Sequence, residues 1–452
     1  MNDKIKITRL LQESMTKFDA DSLVDAVLLV SRDGSLPPGT RLPTIAALAE
    51  ALSISSSTVS RAWGNLRQMG AIETRRRGGS TIAHPVQPTA YRSAGTHEGN
   101  FKYSLAAGYP DPSLQIDLSR ILSIVAQRGE FLGYPGKDHI SESLRASLIK
   151  RIGYEPHALM LETDVLGTIP RVLQAVSHRG SEVGIGDPDF PLYSIILRQG
   201  GLTPVPIPFD TGGYDLDIVA KYLSSGVRVL LLQTRVHNPT GLAVPTENLE
   251  AIAQLLRTHD ATAIEIDHHG ELVPQNAERL GGFAPERVVL LSSFSKDVHP
   301  DVRVGCVAGP ATVLDRVSVW RAGGGWVSSI NKAVLDVCLN DPRVHVGIRL
   351  AREEYARRRI IFQDRFIDAG VDIESNAGLS LWIPVRSEQD ALVSLAAQGI
   401  SVARGSAFSK KTSGRDHIHL SLGSVGADSV VLSAAILHAA LIEPGSVGRG
   451  FL

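Results

Sequence analysis

The chain contains very little cysteine: Cys306 and Cys338 are the only two among 452 residues. Both lie in apolar stretches, which fits buried free thiols in a reducing compartment better than the disulfide framework of a small secreted domain. We therefore expect a cytoplasmic protein.

Long apolar runs are absent as well. No stretch approaches the roughly 20 apolar residues that a membrane-spanning helix needs. The first four residues, Met1 to Lys4, lead into mixed charge rather than into the apolar core of a signal peptide. We expect neither secretion nor a membrane partner.

There is no excess of charge of either sign, because 46 Lys and Arg residues face 47 Asp and Glu residues, for a net charge of -1. This balance excludes a globally basic nucleic-acid binder, so any such affinity must come from local patterning. The length favours more than one domain. We expect a small domain followed by a large one.

Residues 1–84 have the pattern of three helices followed by a hairpin. One helix is predicted after Asp21, a second after the N-cap Thr44, and a third after the serines at 55–57. Apolar residues of the third helix recur on one face, and two short strands then flank the basic turn at 75–79. This order predicts an α+β winged helix-turn-helix.

Residues 21–84 resemble the GntR-type winged helix in Gly39-Thr40-Arg41-Leu42-Pro43, in Ser57-Thr58-Val59 and in Gly70 before the wing. In such domains the second helix of the pair enters the major groove, and phosphate contacts fix its register. The resemblance implies these DNA-binding residues: Arg41, Ser56, Ser57, Thr58, Ser60, Arg61, Arg75, Arg76 and Arg77. The alternative is that the arginine run is a solvated turn. Ile45-Ala46-Ala47 stands where such domains usually carry an arginine, which lowers the expected affinity.

A linker and a large domain follow. Residues 85–100 are rich in proline, glycine and polar residues and are predicted to form a flexible linker. From 101 to 445 apolar runs such as 227–232 and 287–291 alternate with amphipathic helices. Runs of this kind predict a large α/β domain with a mainly parallel sheet buried by helices on both faces.

Polar motifs come directly after several of these predicted strands. They are Asn238-Pro239-Thr240-Gly241, Asp267 and Ser293-Phe294-Ser295-Lys296, and Arg303 follows seven residues later. A lysine amine can form a Schiff base with a carbonyl cofactor, and an arginine can clamp a phosphate with two hydrogen bonds. Open α/β sheets bind ligands beyond the carboxyl ends of their strands. The order therefore predicts one site for an aldehyde and a phosphate.

With these motifs, residues from about 100 to 445 resemble a fold-type I aminotransferase, the class that uses pyridoxal 5'-phosphate (PLP). The resemblance implies a small C-terminal α/β subdomain at roughly 345–445. It also implies that Lys296 is the catalytic residue and bonds the cofactor's aldehyde, that Asp267 pairs with the pyridine nitrogen, and that Asn238 bonds the ring oxygen.

The resemblance assigns further cofactor contacts. Five residues would hold the phosphate: Gly167, Thr168, Ser293, Ser295 and Arg303. Phe190 would stack on the pyridine ring, and Tyr134 would reach the phosphate of the neighbouring subunit in a head-to-tail homodimer. As an alternative, Phe190 and Tyr134 are ordinary core or turn aromatics.

Both parts together resemble the MocR subfamily of GntR regulators, in which a winged helix is fused to an aminotransferase-like domain. This implies a transcriptional regulator that binds operator DNA and senses PLP, alone or with a small amine or amino-acid effector. One alternative is a PLP-dependent aminotransferase with an N-terminal regulatory or interaction domain. Another is a chain whose degenerate motifs bind no cofactor.

Two departures from the aminotransferase pattern limit the expected activity. The tyrosine that usually follows the pyridine-pairing aspartate is replaced by His268-His269, and we place His268 at the cofactor site. His419 stands where the family reads a substrate carboxylate with arginine, and a neutral histidine cannot make that two-pronged contact. Arg404 is the candidate that could compensate. We expect poor transamination of amino acids and no metal site.

Overall fold

The computed structural model describes residues 2–68, 71–75, 79–82, 101–129, 139–274, 276–321, 325–409 and 416–445. Two compact units make up the chain. The predicted linker at 85–100 lies outside the described residues, as do Gly70, Arg76, Arg77 and Tyr134. The backbone of Arg75 is described, but its side chain is not.

The N-terminal unit contains four helices and a hairpin. Its elements are α1 (Asn2–Ser14), α2 (Ala20–Arg32), α3 (Ile45–Leu52), α4 (Ser56–Gln68), β1 (Ile72–Arg75) and β2 (Gly79–Ile82). The helix predicted after Asp21 is α2, which the Asp19 carboxylate caps by accepting the Ser22 N–H at 2.8 Å. Helix α1 was not predicted, although its Ile7 and Leu11 are buried in the same core.

A short turn joins α3 to α4. Ser53 takes the left-handed conformation, with φ of 54°, and ends α3. The Ser55 hydroxyl then accepts the N–H of Thr58 at 3.0 Å and caps α4. Antiparallel β1 and β2 form the wing, and the Leu42 N–H donates to the Ser80 carbonyl beside β2. The winged helix-turn-helix prediction is confirmed.

The large unit is built on an eight-stranded sheet. Its strands are β4 (Ala158–Glu162), β5 (Glu182–Asp187), β6 (Thr203–Asp210), β7 (Gly213–Tyr214), β8 (Val229–Leu232), β9 (Thr262–Asp267), β10 (Val288–Ser293) and β11 (Gly305–Gly309). Their spatial order is β4-β11-β10-β9-β8-β5-β6-β7. The central strands are buried apolar runs, as the sequence predicted.

Helices lie before, between and after these strands along the chain. They are α5 (Leu118–Arg128), α6 (Glu142–Ile152), α7 (Ile169–Val176), α8 (Pro191–Gln199), α9 (Leu216–Ser224), α10 (Thr246–Thr258), α11 (Leu280–Phe283), α12 (Ala311–Val319), α13 (Ser329–Asn340) and α14 (Pro342–Ile367). None of the helices in the described ranges combines the length and the hydropathy that a bilayer crossing requires.

Strand direction fixes where the site lies. Strands β5, β8, β9 and β10 are mutually parallel, whereas β11 is antiparallel to both β10 and β4. Strand β4 therefore runs in the same direction as β10, and five strands end at one edge of the sheet. Ligands of open α/β sheets bind at this edge, and every predicted cofactor motif of the described residues follows one of these five ends or precedes β11.

The C-terminal part forms the predicted small α/β subdomain. Its elements are β12 (Ser380–Val385), α15 (Glu388–Ala397), β13 (Ile400–Ser401), β14 (Ala403–Arg404), β15 (Asp416–Ser421) and α16 (Ser429–Ala440). Strand β15 lies between β12 and β14 in an antiparallel sheet. Strand β13 pairs instead with β3 (Tyr103–Ser104), so the beginning of the large domain is tied to its end.

Candidate cofactor site and nucleic-acid interface

Lys296 lies three residues beyond the end of β10, at the edge where the five strands end. Its ammonium donates a hydrogen bond to the carbonyl of Gly108 at 3.0 Å. Burial lowers the pKa of Lys296 to about 8. At pH 7 roughly one such amine in ten is therefore neutral, compared with fewer than one in a thousand for an ordinary lysine. This makes Lys296 a usable nucleophile towards an aldehyde.

Three histidines, of which His269 and His419 are buried and His268 is half-buried, lie close enough to Lys296 to sense its charge. Burial, and secondarily the charge of Lys296, lowers the pKa of His268 and of His419 to about 3, and that of His269 lies well below its usual value. All three rings are therefore neutral at pH 7. Among the described residues, His269 Nε2 and His419 Nδ1 have no hydrogen-bond partner. Neutral imidazole rings can form hydrogen bonds with a ligand, but they do not provide a positive charge beside it.

Asp267 ends β9 and is almost fully buried. Its Oδ2 accepts Arg279 Nη2 at 2.7 Å and Arg235 Nη1 at 3.1 Å, and its Oδ1 accepts the N–H groups of Gly270 and His269 at 3.0 and 3.2 Å. Burial by itself raises the pKa of this carboxyl group. The opposing charges of Arg235, Arg279 and Arg151 outweigh burial and leave the pKa well below its usual value. Asp267 is therefore ionised.

Two further groups line the ring side of the site. The Oδ1 atom of Asn238 is buried and has no hydrogen-bond partner among the described residues, so it is open to a ligand donor. Phe190 is half-buried and packs edge-on against Tyr193, with ring centroids 5.4 Å apart. The Tyr193 hydroxyl in turn contacts His268 Nε2 at 2.7 Å. Phe190 and His268 therefore both contact the same tyrosine.

The residues predicted to hold a phosphate gather around the ends of β4 and β10. The hydroxyls of Ser293 and Ser295 are 2.9 Å apart. Gly305 begins β11 two residues after Arg303, and it pairs with Ser293 of β10 on one side and with Glu162 of β4 on the other. The N–H of Gly167, however, donates to the Asp164 carboxylate at 2.5 Å. Arg303 Nη2 lies 4.0 Å from the same carboxylate. Asp164 thus takes the position of an anion at the start of α7.

Thr168 is turned away from this position. Its buried hydroxyl donates to the Asp164 carbonyl at 2.5 Å and accepts from Arg171 Nη2 at 3.1 Å. Arg171 in turn pairs with the buried Glu162 at 2.6 Å. The structure therefore places Gly167 and Arg303 beside the Asp164 carboxylate and the two serine hydroxyls beside each other at the end of β10, but engages the Thr168 hydroxyl elsewhere.

His419 and Arg404 are not brought together. In the antiparallel pairing of β14 with β15, Ala403 lies opposite His419, whereas Arg404 lies opposite Ile418. Successive strand residues point to opposite faces, so the exposed Arg404 leaves the sheet on the face away from His419. His419 contacts the Ser380 hydroxyl at 3.2 Å and the Phe408 ring at 4.8 Å. Both of these contacts are with uncharged side chains.

The donor set fits the carbonyl end of PLP. A lysine with a lowered pKa, an unpartnered Asn238 oxygen and unpartnered histidine nitrogens are the groups that an aldehyde and a ring hydroxyl need. Lys296 and Asn238 would hold that end, and Ser293, Ser295 and Arg303 would hold the phosphate. When bound, PLP would supply an aldehyde that captures amines. The two contacts that fit less well are the Gly167 N–H, already taken by Asp164, and Asp267, already held by arginines.

The described candidate DNA-binding residues lie on α4 and beside the wing. On α4 the side chains of Val59, Ala62, Trp63 and Leu66 are buried. The opposite face exposes Ser56, Ser57, Ser60 and Arg61, while Thr58 is half-buried. Arg41 is exposed as well and lies beside Gly79 of the wing, opposite Thr81. This arrangement suits a recognition helix flanked by a basic wing.

Sequence reasoning missed several residues of the cofactor site. Arg235 belongs to the motif that precedes Asn238, but its pairing with Asp267 spans 32 residues and has no local signal. Arg279 was not singled out for the same reason. Asp164 could have been recognised, because aspartate side chains commonly accept a backbone N–H a few residues later in a turn.

We predict that Asp164→Asn strengthens anion binding at the start of α7. The side-chain oxygen of asparagine can accept the same Gly167 N–H in the turn before α7, so the substitution removes the competing charge and keeps the fold. Removing one like charge at close range is worth at least about 1 kcal/mol, or roughly fivefold in affinity. Calorimetric titration with inorganic phosphate measures this. Asp260→Asn, at an exposed ion pair with Arg287, is the matched control, and equal affinities for both variants would contradict the prediction.

We also predict a pH dependence for cofactor capture. Because the reactive form of Lys296 is the neutral amine, and its pKa is about 8, the initial rate of reaction with PLP should rise about tenfold between pH 7 and pH 9 and then level off. Stopped-flow absorbance in the visible region measures this rate, and Lys296→Ala gives the background. A rate that keeps rising about tenfold per pH unit up to pH 10.5 would show that the pKa of Lys296 is not lowered.

Comparison with known proteins gives two family matches on this chain. Residues 114–421 match the family described as aminotransferase class I and II, and residues 31–82 match the gntR family of bacterial regulatory proteins. The first match covers more than half of the chain. Both agree with the order of domains that the sequence predicted.

Similar proteins include two transcriptional regulators that match most of the length of this chain. The vitamin B6 salvage pathway transcriptional repressor PtsJ of Salmonella typhimurium is 24% identical over 426 residues, which is 93% of this chain and 98% of that protein. The pyridoxine biosynthesis transcriptional regulator PdxR of Corynebacterium glutamicum is 26% identical over 425 residues, covering 89% and 91%.

Solved structures support the fold of the large unit. The kynurenine aminotransferase of Pyrococcus horikoshii is 19% identical, with a TM-score of 0.66 over 76% of this chain and 90% of that one. Together with the family matches, this confirms the predicted combination of a GntR-type domain with a fold-type I domain. The chain belongs to the aminotransferase class I and II family and carries a GntR-family domain ahead of its aminotransferase-like domain.

Proposed function

We propose that this protein is a PLP-dependent DNA-binding transcriptional regulator whose aminotransferase-like domain senses PLP, alone or with an amine effector. The observation that carries the proposal is the joint presence of two sites on one chain. Helix α4 buries one face and exposes Ser57, Ser60 and Arg61 on the other. Lys296 keeps a lowered pKa at an edge that suits a carbonyl cofactor.

The site supports sensing better than turnover of amino acids. An aminotransferase must read the carboxylate of its substrate with a cation, and His419 is neutral while Arg404 lies on the opposite face. A neutral ring cannot replace a bidentate guanidinium contact. An amine that reaches Lys296 would therefore lack the usual anchor.

The similar regulators support the choice of signal. PtsJ and PdxR are both named for regulation of vitamin B6 pathways, and PLP is the cofactor that the large domain implies. We propose that the level of PLP is the signal here too, that the protein acts in the cytoplasm, and that it works as a head-to-tail homodimer presenting two winged helices to operator DNA.

A second candidate function rests on Lys296 itself. A site that only holds PLP by its phosphate and ring has no need of an amine with a lowered pKa, so its retention favours some residual aminotransferase chemistry. In this alternative the N-terminal domain is a regulatory or interaction module.

The regulator proposal is tested by DNA binding. Labelled DNA from upstream of the protein's own gene is titrated with the full chain, with and without PLP. We expect PLP to change the dissociation constant by at least about fivefold, the lower end of typical coupling free energies. Lys296→Ala should bind the DNA but lose most of this response. The absence of DNA binding in both states, or an identical dissociation constant with and without PLP, would refute the proposal.

Arginine variants assign the DNA-binding face in the same assay. Arg41→Ala and Arg61→Ala should each weaken binding and reduce the salt slope by about one. Arg9→Ala is the matched control, because Arg9 is an exposed cation of the same unit that pairs with Glu13 on α1. A salt slope that is reduced as much by the control as by the other two variants would exclude α4 and the wing as the DNA-binding face.

A further inference from the structure

The carboxylate of Asp267 is fully occupied by donors from the protein. An ionised aspartate has about four lone-pair sites on its two oxygens. Here Oδ2 accepts one guanidinium N–H from Arg279 at 2.7 Å and one from Arg235 at 3.1 Å. Oδ1 accepts the backbone N–H groups of Gly270 at 3.0 Å and His269 at 3.2 Å. No acceptor site is left for a further donor.

Both arginines are held in place by other contacts. Arg235 Nη1 also donates to the Gly270 carbonyl at 2.8 Å, and its Nε donates to the Ala277 carbonyl at 3.1 Å. Arg279 Nη1 donates to the carbonyls of Arg151 and Ile152, each at 2.9 Å. Both guanidiniums are also almost completely buried. Because each arginine is fixed at several points, neither can leave Asp267 without breaking buried hydrogen bonds.

We propose that Asp267 anchors these two arginines and does not pair with the pyridine nitrogen, so that PLP is bound here with its ring nitrogen unprotonated. This inference rests on the proposed function, since it concerns how PLP is held. It departs from the role that the aminotransferase resemblance assigned to Asp267. A protonated pyridine nitrogen needs an anionic acceptor beside it, and two adjacent guanidiniums disfavour that extra positive charge.

The consequence for function is a cofactor that is captured without being activated. A pyridinium ring withdraws electrons from a bound amine, whereas a neutral pyridine ring does so much less. Lys296 can still capture the aldehyde, because that step depends on the amine and not on the ring nitrogen. The protein would thus respond to bound PLP without chemically converting an amine that is bound with it.

The test compares PLP with its analogue in which a carbon replaces the ring nitrogen. Each is titrated into the full-length protein, and binding is followed by calorimetry and by the visible absorbance. We expect the two dissociation constants to agree within about threefold. An analogue that binds tenfold or more weakly would overturn the inference while leaving PLP sensing intact. If PLP itself does not bind, the proposed function fails and the inference with it.

A substitution gives a second, independent readout. Arg235→Gln removes one donor from Oδ2 and leaves Asp267 paired with Arg279, so the carboxylate gains a free acceptor site. We expect this variant to prefer PLP over the carbon analogue by about tenfold. The control is Arg257→Gln, which removes an arginine from an ion pair of 2.7 Å with Glu286 away from the site. The inference would be contradicted if the unaltered protein already preferred PLP over the carbon analogue and Arg235→Gln did not change that preference.

Discussion

The ion pairs between Asp267 and its two arginines connect the segments that form the cofactor edge. Arg235 follows β8, Asp267 ends β9, and Arg279 reaches the carbonyls at the end of α6. Removing Asp267 would leave two buried guanidiniums without their counterion, which costs about 3–5 kcal/mol in comparable buried pairs. The aspartate is therefore required to hold the strand ends in place, whatever its relation to a cofactor.

This structural requirement explains how an aminotransferase fold can serve as a receptor. Five strands end at one edge, so the loops that carry Lys296, Asn238 and Arg303 lie at that edge, because strand direction alone determines that arrangement. Turnover depends in addition on side chains that read the substrate and activate the ring. Those are the positions where this chain has neutral His419 in place of a cation and an aspartate already occupied by arginines.

Much of the architecture could be predicted because it depends on local patterns. Buried strands appear as apolar runs, the cap at Ser55 precedes α4, and the motifs that bear Asn238, Asp267 and Lys296 each follow a strand. The predicted winged helix and large α/β domain are both confirmed. The contacts assigned to individual site residues remain predictions, since they depend on bound partners.

What the sequence could not show depends on contacts between distant residues. Nothing near Asp267 indicates that Arg235 or Arg279 will reach it, and no local pattern separates Arg404 from His419; only the strand pairing does. Helix α1 was not predicted because it has few apolar residues. Only the folded structure shows that Ile7 and Leu11 belong to the core of the N-terminal unit. The occupation of the Gly167 N–H by Asp164 was foreseeable from the tendency of aspartate to accept a nearby backbone N–H in a turn, but the motif suggested a phosphate there instead.

The central claim, that this edge retains cofactor capture without amino-acid turnover, is tested most directly by exchange of the α-proton. The PLP-loaded protein is incubated in deuterated water with a panel of common amino acids, and deuterium at Cα is followed by NMR. The account predicts exchange no faster than with free PLP at the same concentration. Exchange well above that background, accompanied by formation of the keto acid, would contradict it and make catalysis the function of this domain.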